Sequence, residues 1–101
     1  MRMIVFFDLP TETPKDRREY NKFRKYLIKS GFMMMQESVY CKIALNQSAV
    51  TAMEGGIRKH KPERGLIQLL TITEKQYSKM TFILGSHDGD IISSDERFIE
   101  L

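Results

Sequence analysis

The sequence predicts an α+β domain in which helices cover one side of a mostly antiparallel sheet. Apolar runs rich in β-favouring residues alternate with two segments of helical periodicity, in the order strand, helix, one or two strands, helix, strand, strand. The chain has 101 residues, of which 42% are hydrophobic and 29% are charged. These values are typical of one ordinary globular domain with a single core.

The composition also excludes several classes of protein. No apolar run is long enough to span a bilayer, and no signal-peptide pattern precedes the first strand. Cys41 is the only cysteine, which excludes a disulfide within the chain and a cysteine-based zinc site. We therefore expect a cytoplasmic protein without a membrane partner.

Residues 1–10 contain the first predicted strand. Ile4 to Phe7 are consecutive apolar residues, which is typical of a strand buried on both faces. The strand ends at Asp8, and Pro10 follows. A buried carboxylate is costly unless a metal, a base or a helix N-terminus pairs with it. Asp8 is therefore a candidate metal ligand, and the alternative is that it only starts a turn.

A basic amphipathic helix is predicted over residues 14–30. Thr13 is a suitable N-cap, Pro14 suits the first helical position, and Gly31 ends the helix. One face of this helix is apolar, with Tyr20, Phe23 and Leu27. The opposite face, called the basic ridge below, consists of Lys15, Arg18, Lys22, Lys25 and Lys29.

Residues 32–45 read as strand, but Gln36-Glu37-Ser38 interrupts the apolar pattern, so either one bent strand or two short strands are expected. Met33 to Met35 are interpreted as core or interface residues. A second helix is capped by Asn46 or Ser48 and ends near His60. Its predicted inner face contains Ala49, Val50, Met53 and Ile57.

The last third of the chain contains further strands. Residues 65–73 and residues 81–85 are both predicted to be strands, with a turn or short helix over residues 74–79. His87 to Asp90 superficially resembles a metal loop, but a glycine turn is the favoured interpretation. Residues 91–92 and 98–101 are apolar, which favours a terminal strand that pairs with a sheet edge, in this chain or another.

These elements favour a ferredoxin-like βαββαβ plait with an extra C-terminal strand. Residues 1–85 would form the domain, and residues 86–101 an acidic loop and terminal strand that belong to the same domain or to a dimer or partner interface. Such a plait leaves one sheet face without helices. Because the strands are apolar on both faces, we expect a homodimer that covers this face.

Charge is unevenly distributed along the chain, although the net charge is only +3. Residues 15–29 contain seven lysines and arginines against two acids, and residues 58–64 contain four against Glu63. Residues 86–101 contain five acids against Arg97. Two basic segments predict a polyanion partner, and the alternative is a set of ordinary solvated faces.

The basic residues are suited to phosphate contacts without base reading, because the sequence shows no aromatic platform flanking them. Doubled by a two-fold axis, they would form a long track for duplex DNA. His60 is isolated among cations, so a metal role is not expected. The candidate nucleic-acid-binding residues are Arg17, Arg18, Lys22, Lys25, Lys29, Arg58, Lys59 and Lys61.

Several segments, taken in order, resemble one known family. A strand of the form Ile4 to Leu9 precedes a helix with Arg17-Arg18 and residues 23–27, followed by Gly31-Phe32. The remaining matches are Gln36-Glu37-Ser38-Val39-Tyr40, Thr71-Ile72-Thr73 and Gln76-Tyr77. Nearly the whole chain resembles the CRISPR-associated Cas-two family, the small subunit of the spacer-acquisition complex, and most closely its members from type II systems.

This resemblance implies a ferredoxin-like homodimer with metal-dependent endonuclease activity on single-stranded RNA or duplex DNA in some members. It also implies a bridging role between two dimers of the Cas-one integrase during the capture of new spacers. The aspartate of the family falls on Asp8, which would bind Mg²⁺ or Mn²⁺ near the dimer axis. Its Gln-x-Ser-Val-aromatic motif falls on Gln36, Ser38, Val39 and Tyr40. Many nuclease-active members carry Tyr before the aspartate, whereas this chain has Phe7.

Elementary chemistry supports part of this expectation. Magnesium takes about six oxygen ligands, which one carboxylate cannot supply, but two copies of Asp8 with water and phosphate oxygens could. The sequence offers no general base at a defined spacing, so any hydrolysis by Asp8 is expected to be weak or conditional. Two alternatives remain, a stand-alone toxin-like metal-dependent endoribonuclease of the same fold and a ligand-sensing dimeric plait.

Overall fold

A computed structural model of the chain describes residues 1–86. Within this part, four strands and two long helices alternate in the predicted order, and a short third helix follows. The elements are β1 (Arg2–Asp8), α1 (Pro14–Lys29), β2 (Met33–Gln36), β3 (Val39–Ile43), α2 (Gln47–His60), β4 (Leu66–Ile72) and α3 (Glu74–Ser78).

The four strands form one antiparallel sheet in the order β2-β3-β1-β4. Strand β1 is central, and Ile4 pairs with Cys41 of β3 on one side and with Leu70 of β4 on the other. This order, with a helix after β1 and another after β3, is the ferredoxin-like βαββαβ plait. The predicted fold class is confirmed.

Residues 32–45 form two strands and not one bent strand. A two-residue turn at Glu37-Ser38 separates β2 from β3, and the pairing shifts register between Met34 and Gln36. The interruption that the sequence showed is thus a hairpin turn combined with an irregular pairing.

The first helix begins and ends as the sequence predicted. The Thr13 hydroxyl accepts a hydrogen bond from the Asp16 N–H at 3.0 Å, and the Asp16 carboxylate accepts one from the Thr13 N–H at 3.2 Å. This reciprocal capping box satisfies two N–H groups that the helix cannot pair internally. Gly31 follows the last turn with φ of +95°, a conformation that glycine adopts without a steric penalty.

The core lies between the sheet and the two long helices. Phe7 is its centre: its ring lies 5.3 Å from that of Phe23, 5.8 Å from that of Tyr20 and 5.7 Å from that of Tyr40, between ring centroids. Leu27 is fully buried in the same cluster. The predicted apolar face of α1 is therefore confirmed.

The second helix is capped by Asn46, whose side chain accepts a hydrogen bond from the Ala49 N–H at 2.9 Å. Of the two predicted caps, Asn46 is correct. Val50 and Ile57 are buried, and Met53 packs against the core, so the predicted inner face is confirmed.

Two expectations about apolar residues are wrong, and a third is reduced to one of its two alternatives. Strand β1 is not buried on both faces along its whole length, since Phe6 is 37% exposed. Met33 and Met34 are each 59% exposed and lie outside the core of a single chain, which leaves the interface interpretation as the prediction for them. Residues 81–85 are not a strand, and Ile83 and Leu84 are more than 90% exposed. β propensity alone does not make a strand where no neighbouring strand pairs with the segment.

The predicted turn at His87 to Asp90 and the predicted strand at residues 98–101 lie outside the described residues, as does nearly all of the segment 86–101. Among residues 1–86, no helix is both long and apolar enough to cross a membrane.

Candidate functional site: the open sheet face and the basic surface

The sheet has one face covered by α1 and α2 and one face without long helices, called the open face below. Met3, Val5 and Phe7 of β1 belong to the core on the helix side. Successive side chains of a strand point to opposite faces. Phe6 and Asp8 therefore lie on the open face.

The open face exposes several large apolar side chains. Leu66 and Leu70 of β4 pair with Asp8 and Ile4, so they share this face with them. Their exposed fractions are 54% and 51%, and Phe6 adds a third partly exposed apolar side chain. Ile43 and Met33 extend this surface across β3 and β2. Several large apolar side chains exposed on one sheet face are typical of an interaction site.

Asp8 is exposed at the edge of the open face. Within residues 1–86 its carboxylate makes no hydrogen bond or ion pair. The assumption that Asp8 is buried is therefore wrong, because the central strand ends at this residue. The described part holds no group of three or more His, Cys, Asp or Glu side chains that would bind a metal. One chain thus offers one carboxylate at this position.

Gly65 packs closely against the backbone of Asp8 and Leu9. It has φ of +114°, and a Cβ built there would lie 2.6 Å from Leu9 Cδ2 and 3.0 Å from the Asp8 carbonyl oxygen. A side chain at this position is therefore excluded by both conformation and space. Sequence reasoning gave Gly65 no such role, although a glycine directly before a strand is a signal of close backbone approach.

The side chain of Phe7 does not lie beside Asp8. It packs in the core on the helix side with 5% exposure. The absence of a hydroxyl at position 7 therefore changes the core, and not the open face on which Asp8 lies.

The residues of the Gln-x-Ser-Val-aromatic motif lie in the β2–β3 hairpin, and one of them contacts the end of β1. The Ser38 carbonyl accepts a hydrogen bond from the Phe7 N–H at 3.1 Å, and the Ser38 and Tyr20 hydroxyls are 3.5 Å apart. Tyr40 is fully buried, and its hydroxyl has no partner among the described residues. Gln36 is exposed at the end of β2. Ser38, through its backbone hydrogen bond, and Tyr40, through its pairing with Val5, support the strand that ends in Asp8.

The basic ridge of α1 is exposed along its whole length, and none of its five cations forms an ion pair within residues 1–86. Arg17 is exposed beside it and donates to the carbonyls of Thr11 and Glu12 at 3.1 and 3.2 Å. The ridge thus presents charges that no described carboxylate neutralises.

The second basic segment is partly neutralised. Arg58 pairs with Glu54 at 2.8 Å, and Arg64 pairs with the buried carboxylate of Asp16 at 3.2 Å. Lys59 and Lys61 are exposed and have no ion pair in the described part of the chain. The two lysines are therefore the better candidates for phosphate contacts, since an exposed ion pair costs little to break but competes for the cation.

The expectation that the basic residues lack an aromatic neighbour is wrong. The rings of Tyr26 and His60 stack with centroids 3.9 Å apart and an angle of 12° between their planes. Tyr26 belongs to α1 and His60 ends α2, so this pair joins the two basic segments. Sequence reasoning missed it because the two residues are far apart in the chain and neither belongs to a periodic pattern.

A further cluster that the sequence did not reveal lies at the other end of β1. The Arg2 guanidinium donates to both carboxylate oxygens of Glu74, at 3.0 and 2.7 Å, and to Cys41 Sγ at 3.3 Å. It also lies 3.9 Å from the ring centroid of Tyr77. The hydrogen bonds that Arg2 donates to the Glu74 carboxylate raise the pKa of Arg2 and lower the pKa of Glu74. This cluster fastens α3 to the sheet.

The fold and the arrangement of the site place the chain in a known class of ferredoxin-like proteins. Residues 1–80 match the family model of CRISPR associated protein Cas2, the Cas-two family of the sequence analysis. A CRISPR-associated endoribonuclease Cas2 of Treponema denticola is 52% identical over 101 residues, which is all of both chains. One of Streptococcus mutans serotype c is 48% identical over all of this chain and 93% of its own. The chain belongs to the Cas2 family.

Solved structures agree on the fold. The crystal structure of Streptococcus pyogenes Cas2 at pH 6.5 has a TM-score of 0.63 and 19% identity, and the match covers 84% of this chain and all of that one. A second structure, described as the crystal structure of cas2, has a TM-score of 0.57 over 98% of both chains. The second structure is 17% identical to this chain, and at 17% and 19% identity the likeness concerns the fold alone.

Proposed function

We propose that this chain acts in CRISPR adaptation as a homodimer that binds duplex DNA and bridges the Cas-one integrase during spacer acquisition. We also propose a weak divalent-cation-dependent endonuclease activity centred on Asp8. The observation that supports both ideas most directly is the position of Asp8 at the edge of the apolar open face. A second copy packed on this face would bring two such carboxylates towards a common axis.

The residues fit a shared metal site and do not fit a complete site within one chain. Carboxylate oxygen is a preferred ligand of Mg²⁺ and Mn²⁺, and Asp8 has no competing partner in residues 1–86. In the dimer the two copies of Asp8 would hold the cation together. When bound, a divalent cation supplies charge stabilisation and an activated water for phosphodiester cleavage. Gly65 and Ser38 hold the strand end that positions the carboxylate.

Nucleic-acid binding is supported by the basic surface. The ridge cations are exposed and unpaired in the described part of the chain, so phosphates meet no competing carboxylate there. Lysine and arginine contacts to phosphates position a duplex without reading its sequence. The proposed residues are Arg17, Arg18, Lys22, Lys25, Lys29, Arg58, Lys59 and Lys61.

The role of Asp8 is tested by nuclease assays with Mg²⁺ or Mn²⁺ on single-stranded RNA and on duplex DNA. We expect Asp8→Ala to lower cleavage by about a hundredfold, since even the loss of an outer-shell group commonly costs 10- to 100-fold. Glu12→Ala is the matched control, because Glu12 is an exposed carboxylate in the loop that follows. Equal cleavage by wild type and Asp8→Ala would remove Asp8 from the mechanism.

The nucleic-acid interface is tested by titrating duplex DNA at several salt concentrations. Each phosphate contact contributes about −0.9 to the slope of log K against log salt for duplex DNA, so Lys22→Ala should reduce the slope by about one. Lys75→Ala, which removes an exposed lysine from α3, should leave the slope unchanged. A flat salt dependence of the wild type would indicate that the ridge is incidental surface charge.

The bridging role separates the proposal from its alternative, a stand-alone endoribonuclease. Co-purification with the Cas-one integrase, using the full chain and a chain without residues 91–101, tests it directly. Binding of the integrase by the full chain supports the adaptation role. RNA cleavage without any integrase binding would favour the alternative.

A further inference from the structure

His60 is exposed at the end of α2, yet two contacts hold its ring in place. His60 Nδ1 lies 2.9 Å from the Gly56 carbonyl oxygen, and its ring lies flat against that of Tyr26. The Tyr26 hydroxyl sits against Gly56, where a Cβ would collide with it. The imidazole is therefore held in one orientation by a hydrogen bond and by a ring whose own position is restricted.

One face of the His60 ring remains available. His60 is exposed, and Tyr26 covers one ring face only. No other aromatic ring or cation is recorded against the imidazole within residues 1–86. The opposite face is therefore the side on which a flat ligand would stack.

The charges around the pair define what kind of ligand fits. Lys22 and Lys29 lie four residues before and three residues after Tyr26 in α1, which places them on the same side of the helix. Lys59 and Lys61 flank His60 in the chain, and both are exposed. None of these four lysines has an ion pair in the described part. An aromatic pair with unpaired cations close to it in both segments suits a nucleobase together with its phosphates.

We propose that the Tyr26–His60 pair is a stacking platform for an unpaired nucleobase, so that this surface binds single-stranded nucleic acid or an unpaired end. The bases of an intact duplex are already stacked on each other and cannot reach the imidazole. The platform therefore adds a preference for unpaired nucleotides to the phosphate binding, and it rests on the nucleic-acid binding proposed above. The alternative is that the stack only joins α1 to α2.

The test compares two single-stranded ligands of equal length, an oligothymidine and an abasic phosphodiester that lacks all bases. Both carry the same phosphates, so a difference in affinity reports base contacts. We expect the wild type to bind the oligothymidine at least about fivefold more tightly, the lower end of the about 5- to 150-fold range for one stacked base. His60→Ala should lose this preference, and His60→Phe should keep it, because a phenyl ring stacks without a charge.

Lys59→Ala is the matched control, since it removes a neighbouring charge and should weaken the binding of both ligands equally. His60→Phe also shows that any loss in His60→Ala does not come from unfolding, and thermal melting of each variant checks this.

Equal affinity of the wild type for the two ligands, or an unchanged preference in His60→Ala, would overturn the platform while leaving phosphate binding intact. Failure of the wild type to bind duplex DNA, oligothymidine and the abasic ligand would instead overturn the proposed function itself.

Discussion

Arg2 is the residue whose environment is least expected from its position in the chain. It begins the central strand, yet its side chain is only 10% exposed and meets Glu74, Cys41 and Tyr77. A buried guanidinium is costly unless its donors are satisfied, and here the paired carboxylate satisfies two of them. The contact connects residues 72 positions apart in the sequence.

This ion pair predicts a pH dependence of stability. Arg2 lowers the pKa of Glu74, so the pair stabilises the fold above the ordinary glutamate pKa of about 4.3 and loses that contribution as the pH falls through the lower value of the folded state. The pKa of Arg2 is raised, so its own charge persists at all accessible pH values.

Glu74→Gln should therefore have a lower urea midpoint than the wild type at pH 7, and the difference should shrink at pH 3. Glu63→Gln removes an exposed carboxylate without an ion pair in residues 1–86 and should differ little from wild type at either pH. A constant difference between Glu74→Gln and wild type from pH 7 to pH 3 would contradict this account.

At the same scale, the candidate site was only partly predictable. Asp8 was identified because a charged residue ends an apolar run, and that pattern is visible in the chain. The exposure of its side chain could not be predicted in this way, because burial depends on where the neighbouring strand ends. Gly65 and the Tyr26–His60 pair depend on contacts between distant segments, which no local pattern encodes.

The two adjacent glycines of α2 differ in what surrounds them. Gly55 and Gly56 both weaken the helix by about 1 kcal/mol relative to alanine. A Cβ at Gly55 would meet nothing within 4 Å, whereas one at Gly56 would collide with the Tyr26 hydroxyl. Gly56 thus allows α1 and α2 to approach closely, and Gly55 has no such role in the described contacts.

Gly55→Ala should raise the free energy of unfolding by about 0.5 to 1 kcal/mol. Gly56→Ala should raise it by less or lower it, because Tyr26 must move and its stack on His60 is lost. Urea denaturation of the two variants makes the comparison within one helix. Equal gains would show that Tyr26 moves aside without cost.

The elements themselves differ in how far local sequence determines them. The helices were predicted to within a residue or two at both ends, because caps and apolar periodicity act within a few residues. The segment 81–85 was wrongly predicted to be a strand, since pairing requires a neighbour that local sequence cannot supply. For the same reason, the sequence did not decide whether residues 32–45 form one bent strand or two strands.

For the whole molecule, the open face predicts self-association. Leu70 is 51% exposed on this face, so a lysine there would place an unpaired charge in the proposed dimer interface. Leu70→Lys should raise the dimer dissociation constant by at least about tenfold, measured by analytical ultracentrifugation.

The control for this prediction is Leu45→Lys. Leu45 is 91% exposed and follows β3 outside the sheet, so its replacement should not alter the dissociation constant. If Leu70→Lys associates as tightly as wild type, the two copies do not meet through the open face, and a shared site built from two Asp8 carboxylates loses its basis.

The sequence by itself determined the class of fold, the order of its elements, the two basic segments and the family resemblance. These properties follow from residue type and from spacing within a few positions, so the chain displays them directly. Only the tertiary structure decided that Asp8 is exposed on the open face, that Tyr26 stacks on His60 and that Arg2 holds Glu74. Each of these depends on strand register or helix packing, which bring distant residues together through the folding of the whole domain.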